Sequence, residues 1–175
     1  PSASSAASDV YKRQGFRYAP ATRIYIQFNN RFWENESLNG WGNTDLPEEI
    51  WQPSWDMTGN TGVLMSYLRW SAAEDMDTLN QDEQNNAVLN RWENIFEGSI
   101  NNFDKGVSKS WVLDEWSKGA WASPTTSQNE TLNESIAQIE GRIHFAGEHA
   151  SNDRGWMQGA LFSGLRAATE IKNSN

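Results

Sequence analysis

The sequence predicts a mixed α/β fold of the α+β class, in which a sheet with one helix is followed by a second module at the end of the chain. Three observations support this prediction. Apolar and polar side chains alternate from Arg23 to Phe28, as in a half-buried strand. Apolar residues recur at helical spacing from Val88 to Phe96. A short apolar run, a glycine turn and a helix rich in small residues close the chain, from Ile143 to Ala168.

Size and charge limit the classes of function. The 175 residues suffice for one domain with a core. A formal net charge of −9 and a pI near 4.7 argue against a nucleic-acid partner and against adhesion to an anionic membrane. No apolar run is long enough for a membrane span. Because cysteine is absent, disulfides and thiolate chemistry are excluded, and no metal site is predicted. The compartment and the oligomeric state stay open.

Ten tryptophans are an unusual content for a chain of 175 residues. Large aromatic side chains bury much area each, so most of them are expected in the core. A minority can line a pocket for a flat or apolar ligand. The same content, with the acidic charge, also suggests an alternative of another class, a carbohydrate-binding module, although no regular spacing of tryptophans favours it.

The first residues differ in character from the rest. Residues 1–14 begin with a low-complexity Ser/Ala stretch, and their second half resembles the translated end of a transposon used to prepare sequencing libraries. We therefore expect a non-native leader there. On this view the native sequence begins near Gly15, and the chain is a fragment of a longer protein.

Strand patterns dominate the stretch up to residue 68. Residues 23–28 place three isoleucine and phenylalanine side chains on one face. The polar residues 35–49 contain two glycines and a proline, which predicts a loop or a hairpin insert. Residues 50–52 and 62–68 predict two further strands, separated by a glycine-containing turn.

A helix and a connection follow. The acidic stretch 74–83 leads into a helix whose apolar positions are Val88, Trp92, Ile95 and Phe96 and whose predicted end is Gly98. Residues 110–112 predict a short strand. Residues 124–134 are polar and rich in turn residues, which predicts a connection.

The closing segment combines features of an anion-binding turn. Residues 143–145 predict a short buried strand, with His144 packed inside it, that ends at Gly147-Glu148. Gly155 is predicted to open a helix. That helix is expected to be buried along one side, formed by Met157, Ala160, Leu161, Gly164, Leu165, Ala168 and Ile171. A strand, a glycine turn, an acidic residue and a helix start bring backbone N–H groups against an anionic cofactor.

Residues 141–149 and 155–168 closely resemble the C-terminal flavin-binding segment of the flavin-containing amine oxidases, a family that includes monoamine, polyamine and L-amino acid oxidases. Two more stretches resemble the same family, and together the resemblance covers most of residues 18–172. They are Arg23–Gln27 with Arg31–Glu34 and Thr44–Pro47, and Lys109–Trp111 with Trp116–Trp121.

The resemblance implies how the chain is divided. Residues 15–125 would be part of a mixed-sheet substrate-binding domain, and residues 126–135 a connection. Residues 136–175 would supply the last strand and helix of a Rossmann-like FAD-binding domain. The dinucleotide motif of such a domain would lie upstream, so the fragment is expected to be inactive by itself.

The resemblance also implies a cofactor site. The matching helix start of the family points at the flavin edge that becomes negative on reduction, and the matching glutamate contacts the ribityl and phosphate region. The implied FAD-binding residues are Gly147, Glu148, Gly155, Trp156, Met157, Gln158, Gly159 and Ala160. Members with covalent flavin carry a cysteine where this chain has Ala120, so FAD is expected to be bound non-covalently.

Substrate residues follow from the same resemblance. Trp121 and Trp156 match an aromatic pair that holds the amine over the flavin, with Gly155 beside them. Trp51 and Gln52 fall near the position where L-amino acid oxidases place a side chain for the substrate carboxylate. Arg23 stands where many members have a lysine that holds a water near the reactive flavin nitrogen, and it changes the reach and geometry of that group.

The implied reaction oxidises a small molecule, an L-amino acid or a primary amine. The product is an imine, which is hydrolysed to an oxo compound and ammonia, while O2 is reduced to hydrogen peroxide. A polyamine oxidase or a flavin desaturase of the same superfamily is the alternative, because most of the substrate pocket lies outside this chain.

Overall fold

The computed structural model of the protein describes residues 15–46, 48–132 and 135–174. The predicted leader, Pro47 and two residues of the predicted connection lie outside them. The described chain divides into two compact units. Residues 20–119 form the central unit, and the terminal unit joins the residues before position 20 to those from position 120 onward.

The strands and helices of the described residues are numbered in chain order. They are β1 (Tyr18–Ala19), β2 (Ala21–Phe28), β3 (Gly42–Asn43), β4 (Glu48–Trp51), β5 (Gly62–Arg69), α1 (Ser71–Met76), α2 (Gln81–Trp92), β6 (Phe103–Ser110), β7 (Trp121–Ala122), α3 (Thr126–Leu132) and α4 (Met157–Asn173). The mixed α/β class predicted from the sequence is confirmed. Short 3-10 turns at Phe32–Glu36 and Glu148–Ala150 complete the set.

The central unit is built on a five-stranded sheet in the order β3-β4-β5-β2-β6. All pairs between the described strands of this sheet are antiparallel, whereas part of a mixed sheet was predicted. β2 lies inside the sheet, and Ile24, Ile26 and Phe28 are completely buried. The alternation predicted for this strand is therefore confirmed. Of the loop or hairpin insert predicted for residues 35–49, the structure forms a hairpin of β3 and β4, which extends to Trp51.

One face of the sheet is covered by α1 and α2. Helix α2 begins with a capping box, in which Asn80 accepts from the Glu83 amide and the Glu83 side chain accepts from the Asn80 amide. The predicted extension of this helix to Gly98 is wrong, because α2 ends at Trp92. Beyond it, the Glu93 carboxylate accepts from the amides of Gly98 and Ile100, which turns the chain toward β6.

The strand predicted at residues 110–112 is also misplaced, since β6 spans Phe103–Ser110. It pairs with β2 alone and forms an edge of the sheet. Edge strands tolerate polar and charged side chains, and the exposed Val107 and two lysines of β6 fit that position. This polar composition conceals the strand from a hydrophobicity pattern.

In the terminal unit, the closing segment differs from its prediction in the strand at residues 143–145 and in the start of the last helix. Ile143 makes only an isolated bridge with Glu140 and is 59% exposed, so the buried strand predicted at residues 143–145 does not form. The described residues of this unit contain no neighbouring strand for it to pair with. The helix α4 begins at Met157 with Trp156 as its N-cap, two residues after Gly155.

The predicted burial of α4 is reversed. Its buried residues are Gly159, Ser163 and Ala167, which recur every four positions along one side. Most of the apolar positions expected to be buried are exposed, with Met157 at 79%, Leu161 at 73% and Leu165 at 68%. Small residues face the loop of residues 147–154 because only they allow its backbone to approach the helix closely.

Fewer tryptophans are in the core than expected. Only Trp33 and Trp92 of the described residues are completely buried, and both pack in the core of the central unit. Five others are at least 40% exposed, namely Trp41, Trp51, Trp55, Trp116 and Trp156. Among the described residues, no helix has the length and apolar character that crossing a bilayer requires.

Candidate active site

The Glu148 carboxylate organises the predicted site in the terminal unit. The Ala122 amide donates to its Oε1 at 2.7 Å, and the Gly155 amide donates to its Oε2 at 2.7 Å. Hydrogen bonds from an N–H to an ionised carboxylate are short and strong. One half-buried side chain thus joins β7 to the turn that precedes α4.

The residue before Glu148 is tied to α4. Gly147 has φ 144°, a conformation that favours glycine. Its amide donates to the Ser163 hydroxyl oxygen at 2.8 Å, and Ser163 is 3% exposed. The Gly147-Glu148 pair is therefore held on the second turn of the helix by a buried hydroxyl group. No pattern in the sequence indicates this contact.

Trp121 lies against Gly155. A β-carbon built on Gly155 would be 3.4 Å from Cδ1 of the Trp121 indole, so the ring packs on the bare face of the glycine. Gly155 has φ 77°, in the left-handed region. Trp156 follows directly and is 69% exposed. The structure thus brings Trp121, Gly155 and Glu148 together and places Trp156 at the next position.

The start of α4 has no side-chain cap among the described residues. The N-cap Trp156 gives no side-chain hydrogen bond to the first turn. The first amides of a helix lack intrahelical acceptors and carry partial positive charge, so this end can receive an anionic group. Met157 and Gln158 are exposed there. Gly159 instead packs on the carbonyl oxygen of Asp153, which gives this glycine a packing role.

Arg23 lies in β2 of the central unit. Its guanidinium carbon is 4.6 Å from the ring centre of Tyr67. Burial by itself lowers the pKa of Arg23, but hydrogen bonds with Tyr25 and Tyr67 outweigh it, and the pKa is raised. The buried Nε has no hydrogen-bond partner among the described residues. Arg23 therefore stays charged and retains one unused donor.

Trp51 and Gln52 point to different environments at the end of β4. Trp51 is 40% exposed, packs against Trp41 with ring centres 5.2 Å apart and ring planes tilted by 41°, and donates to Glu49 at 3.0 Å. Gln52 is 3% exposed, and its side-chain oxygen accepts from the Trp33 indole N–H at 3.3 Å. Gln52 thus serves the core of the central unit, while Trp51 faces outward.

Two side chains of the terminal unit, Tyr18 and Glu170, have shifted pKa values. Burial raises the pKa of Tyr18 on β1, and the negative charge of Glu148 adds to that effect. His144 Nδ1 is 3.1 Å from Glu170, and Arg166 binds the same carboxylate at 2.6 Å. Hydrogen bonds from His144 and Arg166 lower the pKa of Glu170. His144 is packed against α4, although the strand predicted to contain it does not form.

Residues 4–172 match the family model described as flavin containing amine oxidoreductase. A protein of Bacillus subtilis (strain 168) with the provisional name L-amino-acid oxidase YobN is 37% identical in an alignment 169 residues long, which covers 92% of this chain and 35% of that protein. The L-amino-acid oxidase of Siganus canaliculatus is 34% identical in an alignment 162 residues long, which covers 88% of this chain and 30% of that protein.

The fold is also shared with solved structures. A putrescine oxidase redesigned in its cofactor binding superposes with a TM-score of 0.84 at 18% identity, over 95% of this chain and 38% of that chain. This likeness concerns the fold alone. The chain spans about a third of the length of the curated relatives it matches. Because the family model matches nearly every residue, the chain belongs to the flavin containing amine oxidoreductases.

Proposed function

We propose that the chain is part of an FAD-dependent oxidase that converts an L-amino acid or a related primary amine to an imine. The observation that supports it best is the uncapped start of α4 beside the contact of Trp121 with Gly155. Two relatives above 30% identity carry the name L-amino-acid oxidase, which favours an amino acid over a diamine.

The donors of the terminal unit suit an anionic cofactor. The first amides of α4, at Met157 and Gln158, would stabilise negative charge on the ring. Gly147, Glu148, Gly155, Trp156, Gly159 and Ala160 would shape the remainder of the FAD site. Bound FAD would accept the hydride from the carbon that carries the amine and be restored by O2, which yields hydrogen peroxide.

Non-covalent binding is part of the proposal. Ala120 precedes Trp121 and has no nucleophilic atom, and the whole sequence lacks cysteine. A thioether bond to the flavin from this segment is therefore chemically excluded. Affinity would come from hydrogen bonds, apolar contact and the dipole of α4.

Trp121 and Trp156 would flank the substrate. Two indole rings exclude water and orient the amine so that its α C–H bond faces the acceptor. The hydride leaves that carbon as the nitrogen lone pair forms the C=N bond, and water then releases ammonia and the oxo product. For the central unit, the resemblance supports two further proposals: Arg23, with its unused Nε donor, would hold a water molecule, and Trp51 and Gln52 would contribute to recognition of a substrate carboxylate.

The proposal is tested with the longer protein that carries this chain. We expect it to purify with the visible absorption of an oxidised flavin, and to lose that absorption when an L-amino acid is added without oxygen. Ammonia and hydrogen peroxide should form in equal amounts when oxygen is present. A colourless protein that takes up no added FAD would overturn the proposal.

The substrate panel should contain L-amino acids, simple amines and diamines. Bleaching by diamines alone would identify a polyamine oxidase. A flavin desaturase would bleach without releasing ammonia. The variant Trp121→Phe keeps an aromatic ring, and Trp121→Ala removes it. Only the alanine variant is expected to raise KM by about tenfold or more, which corresponds to the loss of one aromatic contact.

A further inference from the structure

We infer that Glu148 is a positioning residue that fixes both tryptophans of the proposed substrate cage through the backbone. This inference rests on the proposed function and deepens it. It is distinct from the contact with the cofactor that the family resemblance implies for this glutamate. The argument depends on which two amides the carboxylate binds.

Each amide is adjacent to one tryptophan. Ala122, whose amide donates to Oε1, directly follows Trp121. Gly155, whose amide donates to Oε2, directly precedes Trp156. Both bonds measure 2.7 Å, so a single carboxylate sets the backbone next to both indoles. Moving either bond would move the adjacent ring.

The carboxylate also takes the place of a neighbouring strand. On one side of β7, the amides of Ala120 and Ser123 donate to the carbonyls of Ala19 and Arg17. The Ala122 amide between them donates to Glu148 instead. A short strand of two residues is thereby bound on both sides, which explains how it can hold a large aromatic side chain in place.

Trp121 and Gly155 are in direct contact as well. The indole packs on the face of Gly155 that lacks a β-carbon. Glu148 thus pulls together two backbone segments that are already complementary in shape. The spacing between the two aromatic residues is then fixed by a charged group that binds the backbone beside each of them.

The chemistry of the carboxylate identifies a sharp variant. An ionised carboxylate accepts through both oxygens, whereas an amide accepts through one atom and donates through the other. Glu148→Gln keeps the size of the side chain but leaves one of the two N–H groups facing a second donor. One of the two tryptophans should therefore lose its fixed position. Glu130→Gln, at an exposed glutamate of α3, is the matched control.

The kinetics of Glu148→Gln are measured in the full-length enzyme with FAD at saturation, so that a change in cofactor affinity does not affect the comparison with the wild type. KM should rise about tenfold, because the loss of either hydrogen bond frees the backbone beside one tryptophan, while kcat at saturating substrate falls less. Discrimination between large and small substrate side chains should weaken. A KM within about twofold of the wild type, measured with FAD at saturation, would overturn the inference and leave Glu148 with the cofactor role alone.

A second measurement is independent of activity. In protein labelled with fluorotryptophan, the 19F NMR signals of Trp121 and Trp156 should shift or broaden in Glu148→Gln. The signal of the buried Trp92 should not change. Unchanged signals would overturn the inference even if the wild type bound no flavin, which would be a separate failure of the proposed function. Should Glu148→Gln not fold, Glu148→Asp keeps the charge but is too short to reach both amides, and the same signals decide.

Discussion

Gly159 packs directly against the carbonyl oxygen of Asp153, and no β-carbon fits between them. Helix α4 therefore meets the loop of residues 147–154 backbone to backbone at its first turn. Gly164 lies on the same helix, but a β-carbon there would have no neighbouring atom within 4 Å. The two glycines make a matched pair in one helix.

Gly159→Ala should destabilise the terminal unit and Gly164→Ala should stabilise it. The first change forces backbone atoms apart at a cost of about 1–3 kcal/mol. The second gains roughly 0.5–1 kcal/mol, because alanine favours the helix more than glycine does. Denaturant unfolding of the two variants measures the difference, and equal stabilities would contradict the close contact with Asp153.

Gly155→Ala should disturb the site beyond its effect on stability. A left-handed φ costs a non-glycine residue about 1–2 kcal/mol, and the new methyl group would lie in van der Waals contact with the Trp121 ring, so that relaxation of the strained backbone would shift the ring. Gly141→Ala is the control, since Gly141 has φ 59° but no atom within 4 Å of a β-carbon. Both variants should lose similar stability. Only Gly155→Ala should change KM and the 19F NMR signal of Trp121 in protein labelled with fluorotryptophan.

The turn after α2 should be sensitive to pH. The amides of Ile100 and Gly98 lower the pKa of Glu93. A carboxyl group whose pKa is lower in the folded state stabilises the fold above its unfolded pKa, near 4.5, and this contribution is lost as the pH falls through the folded value. Glu93→Gln should therefore be less stable than the wild type at pH 7.

Below about pH 4.5 the gap between the wild type and Glu93→Gln should narrow, as measured by thermal unfolding across the pH range. Glu97→Gln, at an exposed glutamate nearby, should leave the profile unchanged. A gap that is constant with pH would show that the Glu93 charge is not the stabilising group.

Gln52→Ala should act mainly on stability. It removes the acceptor of the Trp33 indole N–H in the core, and an unsatisfied buried donor costs about 1–3 kcal/mol. Trp51→Phe, at the exposed neighbour, should cost less than about 1 kcal/mol. Chemical unfolding of both variants tests this order, and steady-state kinetics on L-amino acids then show whether either residue also affects KM.

Hydrophobicity patterns were sufficient to predict the strands that are buried inside the sheet. The alternation in β2 and the apolar run of β5 sufficed, because both strands lie inside the sheet and are buried. β6 was missed because an edge strand can be polar. The strand at residues 143–145 was predicted wrongly, since its apolar run has no pairing strand in the described residues.

The sequence names residues for the candidate site but does not give their contacts. Trp121, Gly155 and Glu148 were named from a resemblance, and the structure brings them together in one unit. The bonds of Glu148 reach the Ala122 amide, 26 residues away, and backbone amides carry no sequence signal. Ser163 was visible only as a small helix residue, so its hydrogen bond to Gly147 could not be inferred.

The orientation of α4 has a practical consequence for laboratory work. Met157, Leu161 and Leu165 form an apolar stripe on the surface, and contiguous apolar patches of this kind promote self-association. A recombinant polypeptide of these 175 residues is therefore expected to precipitate at concentrations suited to crystallisation or NMR. Charged replacements at Leu161 and Leu165 would be the first change to try for a monodisperse sample.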